Sequence, residues 1–181
     1  MGNPLVAEIA GDPRLLATPR SALGASAIPY RATLFDKSPG SNWLVVWHQD
    51  TALPVRVRHD APGWGPWSVK AGVLYAHAPA VALQRIVALR VHLDDSRSEN
   101  GPLRVLPGSH TMGVLSDSAI RDVVAAGEPR ECIVRRGGVL VMRPLLVHAS
   151  SKSMVEAPRR VLHIEYTESL VVVPELELDV A

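Results

Sequence analysis

Between Tyr30 and Thr167 the chain returns again and again to short apolar, β-favouring runs, each soon stopped by glycine, proline or asparagine. Such runs cover 30–36, 43–50, 85–94, 103–106, 131–135, 139–142, 145–148 and 159–167. Helical periodicity is confined to short stretches. Asp12 can cap a helix over 12–18, with Pro13 in its first turn. Pro79 opens a short helical piece through Gln84. Ser116 caps a helix that Gly127 stops after Ala126. Many short strands with helices at the margins predict a mainly β fold, a sandwich or barrel. Residues 51–78, rich in Pro, Gly and Trp and without clear period, read as a long loop. Its attachment to Asp50 places it at a site entrance, as one of the more mobile segments. A chain of 181 residues fits one domain, 1–181.

Composition narrows the function classes. Lys+Arg is 19 against Asp+Glu 18, so charge points to neither nucleic acid nor an anionic membrane as partner. One cysteine, Cys132, excludes an intrachain disulfide and any multi-cysteine metal site. No apolar run approaches a membrane span, and the first residues lack the blocks of a signal peptide. The expectation is a cytoplasmic protein. Of eight aromatics, only Tyr166 lies outside residues 30–75. That cluster is either the aromatic part of the core, or Trp64 and Trp67 wall a ligand pocket.

His48-Gln49-Asp50 ends an apolar strand. Alternation turns His48 and Asp50 to one face and Gln49 and Trp47 to the other, where Trp47 packs. An imidazole and a carboxylate two residues apart can share a metal ion, and a third ligand would complete a 2-His-1-carboxylate face. Alone, His-x-Asp is common and more often marks a histidine beside a turn. Six other histidines are available. His59 sits in a charged loop. His77 and His110 lie in loops, and His92 and His163 inside strands, where a satisfied histidine is the ordinary reading. His148 ends an apolar strand just before Ala149-Ser150-Ser151, at the rim of a core, and is the best-placed third ligand.

Three blocks, in order, carry a family resemblance. Asn42-Trp43-Leu44-Val45-Val46-Trp47-His48-Gln49-Asp50 resembles the metal-binding strand of the phytanoyl-CoA dioxygenase family. His92-Leu93-Asp94-Asp95, with Glu99 to His110 (ENGPLRVLPGSH), is similar to its central block. Gly137-Gly138-Val139, Arg143 to Ser150 and Pro158-Arg159-Arg160 resemble its C-terminal block. The resemblance spans about residues 30–167. It implies a double-stranded β-helix, the cupin-like jelly-roll, with a few marginal helices. It implies Fe(II) held by His48, Asp50 and His148, with 2-oxoglutarate and O2 as cosubstrates. The reaction implied is hydroxylation of a small organic molecule with release of succinate and CO2. The family's spacing from the distal histidine makes Arg159 the residue that grips the 2-oxoglutarate C5 carboxylate. Lys37, Ser150 and Lys70 are candidate helpers in binding. Asp94 and Asp95 brace the central loop.

Two points stay open at this stage. On the strand 159–167, Leu162, Ile164 and Tyr166 share the face of Arg160, so apolarity turns Arg160 inward, whereas the family spacing selects Arg159. Only about 29 residues precede Tyr30, which points to an open site or one completed by a partner. Alternative functions on the same fold are a cupin-like metal isomerase or hydrolase, or a non-catalytic binding module.

Overall fold

The computed structural model describes residues 1–174 and 176–180. Helices α1 (Pro4–Gly11) and α2 (Pro13–Leu23) precede strands β1 (Ile28–Lys37), β2 (Val45–His48), β3 (Ala52–Val55), β4 (Trp67–Lys70) and β5 (Val73–His77). A one-turn helix α3 (Ala80–Leu83) leads to β6 (Ile86–His92) and β7 (Leu103–Val105). Helix α4 (Asp117–Ala126), β8 (Arg130–Glu131), β9 (Val139–Met142), β10 (His148–Ser150) and β11 (Arg159–Thr167) follow. The last strands are β12 (Val171–Val173) and β13 (Leu176–Glu177). Two four-stranded sheets have the orders β1-β11-β6-β9 and β2-β10-β7-β8, the double-sheet architecture of a jelly-roll. No helix among the described residues is long and apolar enough to cross a membrane.

The chain divides into two compact units. The first comprises Met1–Ala32, Thr51–Ala88 and Ile164–Ala181. Its two leading helices are set by caps. Asn3 Oδ1 accepts from the amides of Leu5 and Val6, and Asp12 Oδ1 from that of Arg14. The second helix thus begins where the sequence places it, but it runs on to Leu23, and α1 precedes it. Tyr30 and Tyr166 are fully buried, and each phenol keeps a partner, the Glu165 carboxylate and the Ala10 carbonyl.

Residues 51–78 are not one long loop: only 56–66, between β3 and β4, is a long irregular stretch. The rest forms the antiparallel sheet β3-β5-β4, paired Ala52 to His77 through Val55 to Leu74, and Trp67 to Ala76 through Lys70 to Val73. Leu53, Val55 and Ala76 are buried. The prolines mislead because Pro54 lies in an edge strand, which can dispense with one amide donor. The β4–β5 turn is only Ala71-Gly72, with φ of 49° and 81°, the two positive values that a tight hairpin needs. A strand ladder ties 52–55, 67–70 and 73–77 together.

The second unit, Thr33–Asp50 and Leu89–His163, holds His48, Asp50, His148, Arg159, Lys37 and Ser150. Ser116 Oγ caps α4 on the Ala119 amide. The helix then lays Ile120, Val123 and Val124 against Leu106, Val147 and Trp47. Trp47 therefore packs, as alternation from His48 requires. Residues 145–147 are not strand: Leu146 N–H closes a turn on the Arg143 carbonyl, and His148 opens β10 rather than ending a run.

Candidate metal centre and anion pocket

Strand pairing brings distant residues together. His148 is the cross-strand partner of His48, although about a hundred residues separate them. Their ring centroids lie 4.2 Å apart, with the planes tilted by 50°. Just past β2, the Asp50 amide donates to the Pro144 carbonyl at 2.9 Å, fixing the strand's exit beside the turn that feeds β10. Gln49, on the opposite face, is buried. Its amide donates to the carbonyls of Leu145 and Gly113, and its carbonyl accepts from Leu115 N–H. One glutamine thus clamps the strand while its two neighbours face the site.

Both imidazoles are held alike. His48 Nδ1 lies 2.8 Å from the Val46 carbonyl, and His148 Nδ1 lies 2.8 Å from the Leu146 carbonyl. A carbonyl can only accept, so each Nδ1 carries the proton and each Nε2 is left as a lone-pair donor. Those two Nε2 atoms converge on Asp50, at 3.5 Å from Oδ1 and 3.6 Å from Oδ2. The three donors lie within 4.8 Å of one another. Two neutral imidazoles and one carboxylate are a donor set suited to a divalent transition metal with coordination positions to spare. The proton equilibria reflect the same convergence. The hydrogen bond to Asp50 raises the affinity of His48 for a proton. Burial works against ionisation of Asp50, yet the His48 hydrogen bond and the charges of His148 and His163 hold it well below the usual carboxylate range. Burial makes His148 harder to protonate.

The cluster borders a cavity of about 100 Å³. Val45, Leu103 and Ser150 line it from the same sheet as the histidines; Phe35, Arg90, Arg159 and His163 line it from the facing sheet, and Trp43 closes one side. Arg159 is 4% exposed. Its Nε donates to the Asn100 carbonyl and its Nη2 to Ser150 Oγ, both at 3.3 Å, while Nη1 is buried with no hydrogen-bond partner. Lys37, also buried, donates to Ser150 Oγ at 2.7 Å and to the Ser151 carbonyl. Burial, and then the charge of Arg159, push the Lys37 ammonium down to about 8. Ser150 Oγ in turn donates a hydrogen bond to the Gly101 carbonyl at 2.9 Å. Gly101 sits at φ 67°, and a Cβ there would strike the Ser151 carbonyl, so this turn must be glycine to lie against Ser150.

The two arginines separate cleanly. Arg160 points out of the cavity, its guanidinium spanning both Asp94 oxygens at 2.8 and 2.9 Å. Asp95 accepts from the Arg136 amide and from Arg97, bracing the central loop. His77 is paired with Thr51 Oγ1 in β5, and neither it nor His110 joins the cluster. Trp64, Trp67 and Lys70 are not in the cavity lining; Trp67 lies in β4 under Arg58, and Lys70 sits over Tyr75. The aromatic walls are Phe35 and Trp43 instead.

Arg90 is not among the sequence candidates, and His163 is set aside there as a satisfied strand histidine. The signal for His163 was present: it shares the β11 face of Arg159, so turning Arg159 inward turns His163 inward too. Arg90 is masked because Val87, Leu89, Val91 and Leu93 make the other face of β6 look like the inner one.

Comparisons with known proteins agree with this architecture. The chain is 27% identical over 134 residues to L-proline trans-4-hydroxylase from Streptomyces griseoviridis, covering 60% of this chain and 49% of that protein. It superposes on AviO1 from Streptomyces viridochromogenes Tue57 with a TM-score of 0.62 and 26% identity, over 88% of this chain and 59% of that one. EctD from S. alaskensis, solved with 2-oxoglutarate and 5-hydroxyectoine, shares the fold at a TM-score of 0.67 and 19% identity, over 92% and 53% of the two chains. The chain spans about half the length of the curated relative it matches. Residues 2–161 match the family described as phytanoyl-CoA dioxygenase (PhyH), and the chain belongs to that family.

Proposed function

We propose that this chain is an Fe(II)- and 2-oxoglutarate-dependent dioxygenase. It hydroxylates a small organic molecule and releases succinate and CO2, as a single jelly-roll domain working in the cytoplasm. The observation that carries the reading is one cavity with two unlike ends: the converging donors of His48, Asp50 and His148, and the buried Arg159 guanidinium with a free N–H. The relatives support it, since one is named as a proline hydroxylase and another was solved with 2-oxoglutarate. A cupin-like isomerase or hydrolase would not need Arg159.

Iron held by His48, Asp50 and His148 would supply the redox chemistry that couples O2 to oxidation of 2-oxoglutarate and of a substrate C–H bond. The protein's own residues do the rest. The Val46 and Leu146 carbonyls fix which ring nitrogen faces the metal. Arg159, with Lys37 and Ser150 beside it, receives the C5 carboxylate through charge-assisted hydrogen bonds. Phe35, Trp43, Val45 and Leu103 present apolar surface around the reacting groups and keep water from them. The test is anaerobic addition of 2-oxoglutarate to the Fe(II)-loaded protein. A metal-to-ligand charge-transfer band is expected. Succinate release should then rise above the uncoupled background with some members of a small-molecule panel that includes L-proline. Absence of the band at saturating 2-oxoglutarate would refute the reading.

A further inference from the structure

Arg159 is not the only buried guanidinium in the cavity. Arg90, on the neighbouring strand β6, is 6% exposed and lines the same space. Among the described residues no carboxylate pairs with it, and its Nε has no hydrogen-bond partner. What holds it is neutral. Its Nη1 lies 3.3 Å from His163 Nδ1, and its guanidinium stacks over Phe35 at 5.2 Å. Phe35 in turn meets the His163 ring edge-on at 5.7 Å. An arginine donating to Nδ1 requires that nitrogen to be unprotonated, so His163 orients Arg90 without neutralising it.

A buried arginine kept only for structure normally finds a carboxylate, because an unpaired charge in a dry interior is costly. Here the side chain is fixed by a ring face and an imidazole while one N–H stays unused, as in a binding site awaiting an anion. Its position is set by the cavity: Arg90 lines it together with Arg159 and with His48, Asp50 and His148 of the metal cluster. The charge count agrees. Among the lining residues, two guanidiniums, Arg90 and Arg159, face one acidic side chain, Asp50, so the cavity holds more cation than a single carboxylate contact at Arg159 answers.

We infer that Arg90, oriented by His163 and Phe35, is a second carboxylate anchor, and that it holds the C1 carboxylate of the 2-oxo acid beside the metal cluster. This rests on the function proposed above. A substrate carboxylate is the other source of the same chemistry, and the test separates the two.

In one arm, 2-oxoglutarate is titrated anaerobically into the Fe(II) protein and followed by its charge-transfer band, for wild type, Arg90→Gln, Arg90→Lys and the outward-facing Arg160→Gln. Arg90→Gln should weaken binding roughly 10- to 100-fold. Arg90→Lys should recover part of the loss, and Arg160→Gln should match wild type. In the other arm the metal is removed with a chelator, and glutarate and butyrate are compared by calorimetry. Two anchors predict that wild type prefers the dicarboxylate and that Arg90→Gln erases the preference. Should Arg90→Gln not fold, Arg90→Lys and the wild-type comparison still decide, and equal wild-type affinities for the two acids overturn the inference. Wild-type behaviour of Arg90→Gln in both arms also overturns it. If that variant binds 2-oxoglutarate and glutarate normally but its succinate release no longer responds to compounds that stimulate wild type, the C1 assignment is overturned in favour of a substrate carboxylate. If wild type shows no charge-transfer band, the Fe(II)/2-oxoglutarate reading fails, while the metal-free arm still tests Arg90.

Discussion

His48 satisfies its Nδ1–H on the Val46 carbonyl of β2 and His148 on the Leu146 carbonyl of the turn before β10, and both approach the Asp50 carboxylate through Nε2. Across the cavity, on β6 and β11, Arg90 and Arg159 are more deeply buried than His48, yet each has an N–H with no partner. The first face can be balanced without a ligand, because Asp50 favours a second proton on His48 that answers the carboxylate. The second face carries two guanidiniums that, among the described residues, form no ion pair with a carboxylate. A metal therefore displaces protons from an organised cluster, whereas an anion relieves a standing electrostatic cost. The two ends should respond differently to mutation, to pH and to ligand.

The largest effect is expected at the balanced face. Asp50 is the one group that both Nε2 atoms approach. Asp50→Ala removes a donor and leaves two imidazoles with nothing to draw them together. Fe(II) affinity should fall by more than the roughly 10–100-fold that changes behind a ligand cost, and succinate release should vanish. Competition with a chromogenic chelator reads this directly. In wild type, acid should weaken metal binding first at His48, whose proton affinity Asp50 raises, so affinity falls as pH drops through a value above the ordinary 6.5. Near wild-type Fe(II) binding by Asp50→Ala would mean that the cluster is not the metal centre.

At the charged face, Arg159→Ala removes the partner proposed for the C5 carboxylate. The expected loss is about 2–5 kcal/mol, or roughly 30- to several-thousand-fold in 2-oxoglutarate affinity, with Fe(II) binding unchanged. The contrast with Asp50→Ala is the point. One variant should lose metal and therefore everything, and the other should keep metal and lose the cosubstrate. Parallel losses of both ligands in both variants would erase the distinction between the faces.

Lys37 gives a smaller, graded effect with a defined sign. Its folded value of about 8 lies below the 10.5 of a free lysine, because burial and Arg159 disfavour the charge. The ligand-free fold therefore carries the full cost of that charge below about pH 8 and sheds it as pH rises toward 10.5. A bound carboxylate favours the ammonium, so 2-oxoglutarate binding should take up a proton above pH 8. Affinity should then fall by up to about tenfold per pH unit in that range. Calorimetry at pH 8.5 in buffers of different ionisation enthalpy measures the uptake. Zero uptake would take Lys37 out of the anion site.

How much of this was legible in the sequence follows the same divide. His48 and Asp50 were readable from strand alternation, and their partner from its place at a core rim, although His148 begins its strand instead of ending one. The facing sheet resisted, because β6 and β11 are buried on nearly every residue, leaving apolarity no means to say which face is inner. On β11 it favoured the side of Leu162 and Ile164, and only the spacing from the distal histidine pointed to Arg159. On β6 no such spacing existed, and Arg90 went unseen. The segment 51–78 was missed for another reason. Its strands are four or five residues long and interrupted by proline, too short to show a period, and they are defined by pairing with each other.

The smallest expected effect is at Arg160, and it tests the choice between adjacent arginines. Alternation on β11 permits only one of them into the cavity, and the other has been given a complete partner outside it. Arg160 grips both oxygens of Asp94 and also donates its own amide to Asp94. Its side chain is 47% exposed, so solvent screens the pair and its contribution is small. Arg160→Ala should leave Fe(II) and 2-oxoglutarate affinity at wild-type values and lower the thermal midpoint only slightly. Asp94→Ala should cost more, because it also strips the Arg160 amide of its acceptor next to the strand that carries Arg159. The double variant should resemble Asp94→Ala alone, since that aspartate is the shared partner. Melting curves and 2-oxoglutarate titrations of the three proteins check the set. A larger loss of cosubstrate affinity in Arg160→Ala than in Arg159→Ala would reverse the orientation of β11, and with it the inward position of His163.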